Sequence, residues 1–113
     1  MEKREFARYA VELPITFSGT GIAGGGLVKG LSARGCTVVS EEFVQAGTTL
    51  VLTINLPEPY VPLKVDLAEV RWAQGRDCGM EFQRLRLEEK ERLQRFIGAL
   101  KRKAKNGKFR QTG

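Results

Sequence analysis

The chain has 113 residues, of which 42% are hydrophobic and 28% are charged, a composition typical of one globular domain. It contains no histidine, which excludes a histidine-bearing metal site and the Ser-His or Cys-His pairs of common hydrolases. Two cysteines are too few for a disulfide framework, and no apolar run approaches the ~18 residues of a membrane span, so we expect a cytoplasmic protein with reduced thiols.

The net charge of +6 is confined to the C-terminal end. All 13 acidic residues and 13 of the 19 basic residues precede Lys101, so residues 1–100 are neutral. The remaining basic residues are Lys101, Arg102, Lys103, Lys105, Lys108 and Arg110. Blocks of like charge are usually solvated, so we expect residues 105–113 to form a disordered basic tail. Binding of nucleic acid by this tail is an alternative, which the absence of RNA-stacking aromatic motifs argues against.

The first predicted elements are strands separated by glycine-rich segments. Residues 11–17 alternate between apolar and polar positions, which predicts a strand with one buried face. Pro14 predicts that this strand lies at an edge or has a free N–H side. Five glycines between Ser18 and Gly26 predict a flexible hairpin connection. Residues 27–40 then form two short strands, or one strand interrupted around Ser32–Gly35.

The central segment continues the alternating pattern. Residues 45–47 predict a turn before a strand over 49–56. Over residues 61–72 the apolar positions slip by one residue, which indicates a β-bulge or two consecutive strands. A turn at 73–77 precedes another alternating run at 78–82. About six short strands with turns between them indicate an antiparallel barrel or sandwich.

The C-terminal segment has helical periodicity. Leu93, Phe96, Ile97 and Leu100 fall at i, i+3, i+4 and i+7, which places them on one apolar stripe. Glutamates precede this stripe and basic residues follow it, as the helix dipole favours. We therefore predict a helix over residues 87–104 that packs on the barrel and buries Leu93, Phe96 and Leu100.

Two motifs are candidates for a ligand site. Arg4 and Arg8 lie four residues apart before the first strand, and their planar guanidinium groups can bind phosphate in bidentate fashion. Ser32 and Gly35 form a Ser-x-x-Gly step on the second strand region. The alternative for the arginines is that they are simply solvated. Ser32 can also serve as a turn residue, and Gly35 can supply a positive φ angle.

In their order and spacing these segments resemble the PilZ domain family over residues 3–100. The segments that carry the resemblance are Arg4-x-x-x-Arg8, residues 11–15, Ser32-x-x-Gly35, residues 69–72 and residues 79–82. The resemblance implies a mainly β fold, namely a six-stranded antiparallel barrel with one C-terminal α-helix. The domain would span residues 1–104, with an arm at 1–10, the barrel at 11–84 and the helix at 87–104.

The resemblance also implies a non-catalytic domain that binds the bacterial second messenger cyclic di-GMP, without a cofactor, and signals to an unidentified protein effector. The implied ligand-binding residues are Lys3, Arg4, Arg8, Ser32, Arg34 and Gly35. Gly30 replaces the usual Asp or Asn that binds guanine, and Arg34 replaces a usual glycine. We therefore expect Gly30→Asp to tighten binding. The alternative is an adaptor that has lost nucleotide binding.

Trp72 is expected in the core, or stacked on a base near the pocket.

Overall fold

Six strands of the chain close into one antiparallel barrel. The computed structural model describes residues 7–112, with side chains described as far as Lys103. The strands are β1 (Tyr9–Gly19), β2 (Ile22–Leu31), β3 (Gly35–Ser40), β4 (Thr49–Ile54), β5 (Leu63–Gln74) and β6 (Asp77–Arg84). Around the barrel they are ordered β1-β2-β3-β6-β5-β4. The predicted six-stranded antiparallel barrel with one C-terminal helix is confirmed.

The barrel interior is filled by the apolar positions of the alternating strands. Ile15, Val28, Leu52, Val65 and Val70 each expose 1% or less of their surface. Such alternation buries one face of each strand because successive side chains point to opposite sides of a sheet. The core is therefore formed by the inward face of every strand.

The phase slip predicted within residues 61–72 corresponds to a bulge in one continuous strand. Leu50 pairs with Ala68, whereas Leu52 pairs with Val65, so β5 contains one extra residue between these two pairs. The bulge keeps both Val65 and Ala68 in the core. The alternative of two consecutive strands is therefore wrong.

The flexible connection predicted between Ser18 and Gly26 is also wrong. Only Thr20 and Gly21 separate β1 from β2, and the glycines that follow lie inside β2. A Cβ placed on Gly26 would lie 2.9 Å from the Cα of Ser40 on β3. The glycine here permits close approach of two strands, which is a packing requirement that local sequence does not reveal.

Pro14 does not mark an edge strand, because β1 pairs with both β2 and β4. The ladder with β4 begins at the Ile15–Ile54 pair, and the Pro14 carbonyl accepts a hydrogen bond of 2.9 Å from the Asn55 N–H beyond that pair. The proline therefore lies at the end of a ladder, where its missing donor leaves the pairing of β1 intact.

The C-terminal helix α1 (Leu87–Thr112) packs on the barrel through its apolar stripe. Leu93 and Phe96 are buried as predicted, whereas Leu100 is only partly buried. The Phe96 ring meets the Tyr60 ring edge-on, with centroids 5.1 Å apart. The helix continues past its predicted end at residue 104, into the segment predicted as a basic tail. Among the residues described, no helix is long and apolar enough to cross a membrane.

Candidate functional site

A pocket of about 270 Å³ lies on the outer face of the barrel, beside the β2–β3 turn. Of the predicted site residues, the structure brings together Arg8, Ser32, Arg34 and Gly35 in its lining. Lys3 and Arg4 lie outside the described residues. Strands β5 and β6 complete the lining with Arg71 and Glu81, which were not predicted as site residues, and with Trp72, for which a place near the pocket was the alternative to the core.

The Arg8 side chain lies across Gly30 of β2. A Cβ placed on Gly30 would lie 3.3 Å from the Cδ and 3.4 Å from the Cγ of Arg8. The adjacent Ala10–Gly30 pair holds the start of β1 in this register. The methylenes of Arg8 therefore rest on the bare backbone of Gly30, while the residue remains exposed at the pocket.

The Ser32 hydroxyl organises the turn between β2 and β3. It accepts hydrogen bonds of 3.2 Å from the backbone N–H groups of both Arg34 and Gly35. It also donates to the Gly35 carbonyl at 3.3 Å, and the Ser32 N–H donates to the same carbonyl at 2.9 Å. Ser32 is 4% exposed, so the turn role is confirmed for its hydroxyl. Contact with a ligand stays a prediction.

Gly35 is required by a close approach between strands rather than by its φ angle. Among the described residues, the glycines with positive φ are Gly21, Gly47 and Gly75, so the positive-φ alternative for Gly35 is wrong. A Cβ at this position would collide with the Met80 carbonyl oxygen and lie 3.3 Å from the Glu81 Cα. The bare backbone lets β3 approach β6 and leaves the pocket floor open.

A chain of opposite charges borders the pocket on β5 and β6. The carboxylate of Glu81 lies 3.5 Å from Arg71 Nη1 and 3.8 Å from Arg34 Nη2. Arg71 also contacts Glu69 at 3.3 Å, and Glu69 accepts a 2.8 Å hydrogen bond from Gln83. Exposed ion pairs of this kind contribute about 0–1 kcal/mol each to folding. Their consequence is geometric, because they place two guanidinium groups at the pocket.

Trp72 lines the pocket and is not a core residue, so the core interpretation is wrong. It is 44% exposed, and its indole covers Gly79, the residue opposite it on β6. Val70 is the last buried residue of β5, and the register of β5 with β6 shifts between Val70 and Trp72. The side chain therefore reaches the outer surface, where its ring is available for stacking.

A comparison with known protein families shows to which family the chain belongs. The model of the PilZ domain matches residues 2–99. The chain belongs to the PilZ domain family. No curated protein matches the sequence.

Solved PilZ structures share this barrel and helix. The PilZ domain of YcgR from Escherichia coli, described with c-di-GMP, matches with a TM-score of 0.77 and 15% identity, over 94% of this chain and 97% of that chain. Escherichia coli YcgR in complex with c-di-GMP matches with a TM-score of 0.78 and 18% identity, over 96% of this chain and 50% of that one. The Bacillus subtilis inhibitor of motility matches with a TM-score of 0.72 and 21% identity, over 94% of this chain and 53% of that chain. The chain therefore spans about half the length of the last two, and these likenesses show the fold.

The PilZ barrel keeps both cysteines buried and unpaired. Burial, with a smaller contribution from the nearby Cys78, raises the pKa of the Cys36 thiol to about 12, and the Arg8 charge opposes part of this shift. Burial, with a smaller contribution from Asp77, also raises the pKa of Cys78. Both thiols therefore stay protonated near neutral pH, and Cys36 forms part of the pocket wall as a small apolar side chain.

Proposed function

We propose that this PilZ domain is a non-catalytic sensor that binds cyclic di-GMP in the pocket beside the β2–β3 turn and passes the signal to a protein partner. The observation that carries the proposal is the position of Arg8, whose side chain lies over Gly30 in the same pocket as Arg34 and the Ser32–Gly35 turn. Family membership supports it, as do the two similar structures of Escherichia coli YcgR with c-di-GMP. We place the sensor in the cytoplasm, as expected from the sequence, and in bacteria, as the family resemblance implies.

The side chains of the pocket suit the two parts of a cyclic dinucleotide. Arg8, Arg34 and Arg71 present guanidinium groups, which bind phosphate oxygens in planar, charge-assisted hydrogen bonds. The exposed indole of Trp72 offers a flat face on which a purine can stack. In this proposal Lys3 and Arg4 add further positive charge from the arm that precedes β1.

The signal would arise from the arm. A ligand shifts a conformation only through its different affinities for the two states. A nucleotide held by Arg8, which directly precedes β1, and by the β2–β3 turn binds most tightly when the arm lies against the barrel. The partner would then recognise the surface formed by the ordered arm.

One observation favours the second candidate, an adaptor that acts through protein contact without nucleotide. Gly30 offers no side-chain acceptor for guanine, and a Cβ at this position would lie 2.7 Å from the Thr37 hydroxyl oxygen. At position 30, where the family usually has the residue that recognises guanine, this chain therefore has no acceptor, and Thr37 leaves little room for one.

Isothermal titration calorimetry of the full chain with cyclic di-GMP distinguishes the two candidates, with cyclic di-AMP as the control ligand at the same salt concentration. The sensor requires saturable binding of cyclic di-GMP and much weaker binding of cyclic di-AMP. The absence of binding to both nucleotides by the folded chain would reject the sensor and leave the adaptor.

A further inference from the structure

Guanine recognition needs an acceptor that position 30 does not supply. The Watson–Crick edge of guanine presents two adjacent donors, N1–H and the N2 amino group, and a carboxylate can accept from both at once because it has only acceptor sites. An acidic side chain at position 30 would have to displace both the Arg8 methylenes and the Thr37 hydroxyl. The acceptor must therefore come from elsewhere in the pocket.

Glu81 is the one acidic residue among the described residues that line this pocket. It lies on β6 directly opposite Gly35, which has no side chain to cover it. Its side chain is 33% exposed, so a ligand in the pocket can reach the carboxylate. Its ion pairs with Arg71 and Arg34, at 3.5 and 3.8 Å, are longer than hydrogen bonds and leave its oxygens able to accept shorter ones.

We propose that Glu81 is the specificity-determining residue of the site and accepts the N1–H and N2–H donors of a guanine base, in place of the acceptor missing at position 30. The inference rests on the proposed function, because it concerns how the same pocket distinguishes guanine from other purines. In this arrangement Arg34 and Arg71 flank the carboxylate and face the phosphates, while Glu81 faces the base.

A different role for Glu81 predicts an opposite result. If Glu81 acted only as a counter-ion for Arg34 and Arg71, its removal would increase the positive charge of the pocket and strengthen binding of any anionic dinucleotide. If Glu81 accepts from guanine, its removal weakens binding despite the gain in positive charge. The sign of the change in affinity therefore separates the two roles.

Glu69 provides the matched control. It also contacts Arg71, at 3.3 Å, and lies opposite Glu81 on β5, but it does not line the pocket. Glu69→Ala removes the same charge near the same arginine and leaves the proposed acceptor in place. It therefore measures the effect of charge alone.

The experiment is a calorimetric titration of the parent chain, Glu81→Ala, Glu81→Gln and Glu69→Ala with two ligands, cyclic di-GMP and cyclic di-inosine monophosphate. The inosine ligand keeps N1–H and lacks the N2 amino group. We expect the parent to prefer cyclic di-GMP, and Glu81→Ala to weaken cyclic di-GMP binding about tenfold or more, since a bidentate base contact has that magnitude. The preference for guanine over hypoxanthine should largely disappear in Glu81→Ala, return in part in Glu81→Gln, and persist in Glu69→Ala.

Unchanged or tighter binding of cyclic di-GMP by Glu81→Ala, with the guanine preference retained, would overturn the role of Glu81 while the proposed function stands. Absence of cyclic di-GMP binding by the parent chain would overturn both. Far-ultraviolet circular dichroism and the melting temperature establish that each variant is folded. Glu81→Gln replaces one carboxylate oxygen by an NH2 group and removes the charge at nearly the same side-chain size, so it tests the same selectivity if Glu81→Ala does not fold.

Discussion

The indole of Trp72 lies over the backbone of Gly79, its partner across β5 and β6, so closely that a Cβ added to Gly79 would lie 2.7 Å from the ring atom Cε2. The contact holds a large aromatic side chain against the outer wall of the barrel. It also defines one side of the pocket, because both residues line it. The glycine is therefore a requirement for the shape of the site.

Gly79→Ala is expected to displace the indole of Trp72 from the barrel wall. Trp72 is the single tryptophan of the chain, so its emission spectrum reports this position directly. We expect the emission maximum to move to longer wavelength as the ring becomes more exposed to water. Gly25→Ala is the control, because a methyl group there would approach the Ile15 carbonyl and not the indole. Identical spectra for the parent and Gly79→Ala would contradict the observed packing.

Gly35→Ala is expected to destabilise the barrel. The added methyl group collides with the Met80 carbonyl and forces β3 away from β6. Overpacking of this kind costs about 1–3 kcal/mol of the free energy of unfolding. The change should appear as a lower midpoint in urea unfolding followed by circular dichroism.

Gly98→Ala in α1 is the matched control for this substitution. A Cβ at Gly98 meets only the end of the Arg102 side chain, at 3.7 Å, and alanine is favoured over glycine inside a helix by about 0.5–1 kcal/mol. We expect Gly98→Ala to raise the unfolding midpoint. If both variants shifted the midpoint upward, the close contact between Gly35 and β6 would be disproved.

The strands and the helix could be predicted because their patterns are local. Alternation over residues 11–17 and the stripe through Leu93 and Phe96 each report burial of one face. The glycines at 24–26 misled the prediction because a loop and a tightly packed strand have the same composition. The close approach of β3 at Gly26 and of the Ile15 carbonyl at Gly25 leaves little room for a side chain, and local composition does not reveal this.

Part of the candidate site could also be predicted, because some of its residues lie close together in the sequence. Ser32, Arg34 and Gly35 belong to one short motif, and they line the pocket together with Arg8. Trp72 and Glu81 join them only because the barrel closes with β6 between β3 and β5, and pairing register cannot be inferred from alternation alone. The segments that contain Trp72 and Glu81 did carry part of the family resemblance, and this was the feature of the sequence that could have indicated their place in the site.

The buried Cys36 thiol predicts a loss of stability at alkaline pH. Its pKa is near the usual thiol value when the chain is unfolded and is raised to about 12 in the fold, so the folded state favours the protonated form. The unfolded state releases this proton first as the pH rises. The contribution of the protonated Cys36 thiol to the free energy of unfolding is therefore complete below about pH 8.5 and is lost progressively towards pH 12.

Urea unfolding at pH 7 and pH 10 checks this linkage. The parent chain should be less stable at the higher pH, and Cys36→Ala, although less stable overall, should lose less between the two pH values. An equal loss in both proteins would show that Cys36 does not contribute to the pH dependence.

Gly30→Asp is expected to leave cyclic di-GMP binding unchanged or weaker, contrary to the expectation from sequence. The new side chain would crowd the Thr37 hydroxyl, 2.7 Å from the added Cβ, and lift the Arg8 methylenes, 3.3 Å from it. Any gain from the new carboxylate is then offset by movement of Arg8, the arginine proposed to bind phosphate. Calorimetry of Gly30→Asp, alone and combined with Thr37→Ala, measures this effect. Marked tightening by Gly30→Asp alone would show that Arg8 and Thr37 move at little cost.

Arg8→Ala is expected to separate ligand binding from folding. Arg8 is exposed and precedes the first strand, so its loss should change the free energy of unfolding by no more than about 0.5 kcal/mol. The same change removes charge-assisted hydrogen bonds to phosphate, each contributing roughly 1.5–3 kcal/mol, and should weaken cyclic di-GMP binding about tenfold or more. Arg4→Ala should have a similar effect.

Two further variants test whether binding depends on the guanidinium group of Arg8 or only on its positive charge. Arg8→Lys keeps the charge but loses the planar pair of donors, so it should recover only part of the affinity. Lys29→Ala removes the same charge on β2, where Lys29 is paired with Glu12 at 2.9 Å outside this pocket, and should leave binding nearly unchanged. If Lys29→Ala weakened binding as much as Arg8→Ala, the effect would reflect net charge alone. If Arg8→Ala and Arg4→Ala bound cyclic di-GMP as tightly as the parent chain, the phosphate site would have to lie elsewhere on the domain.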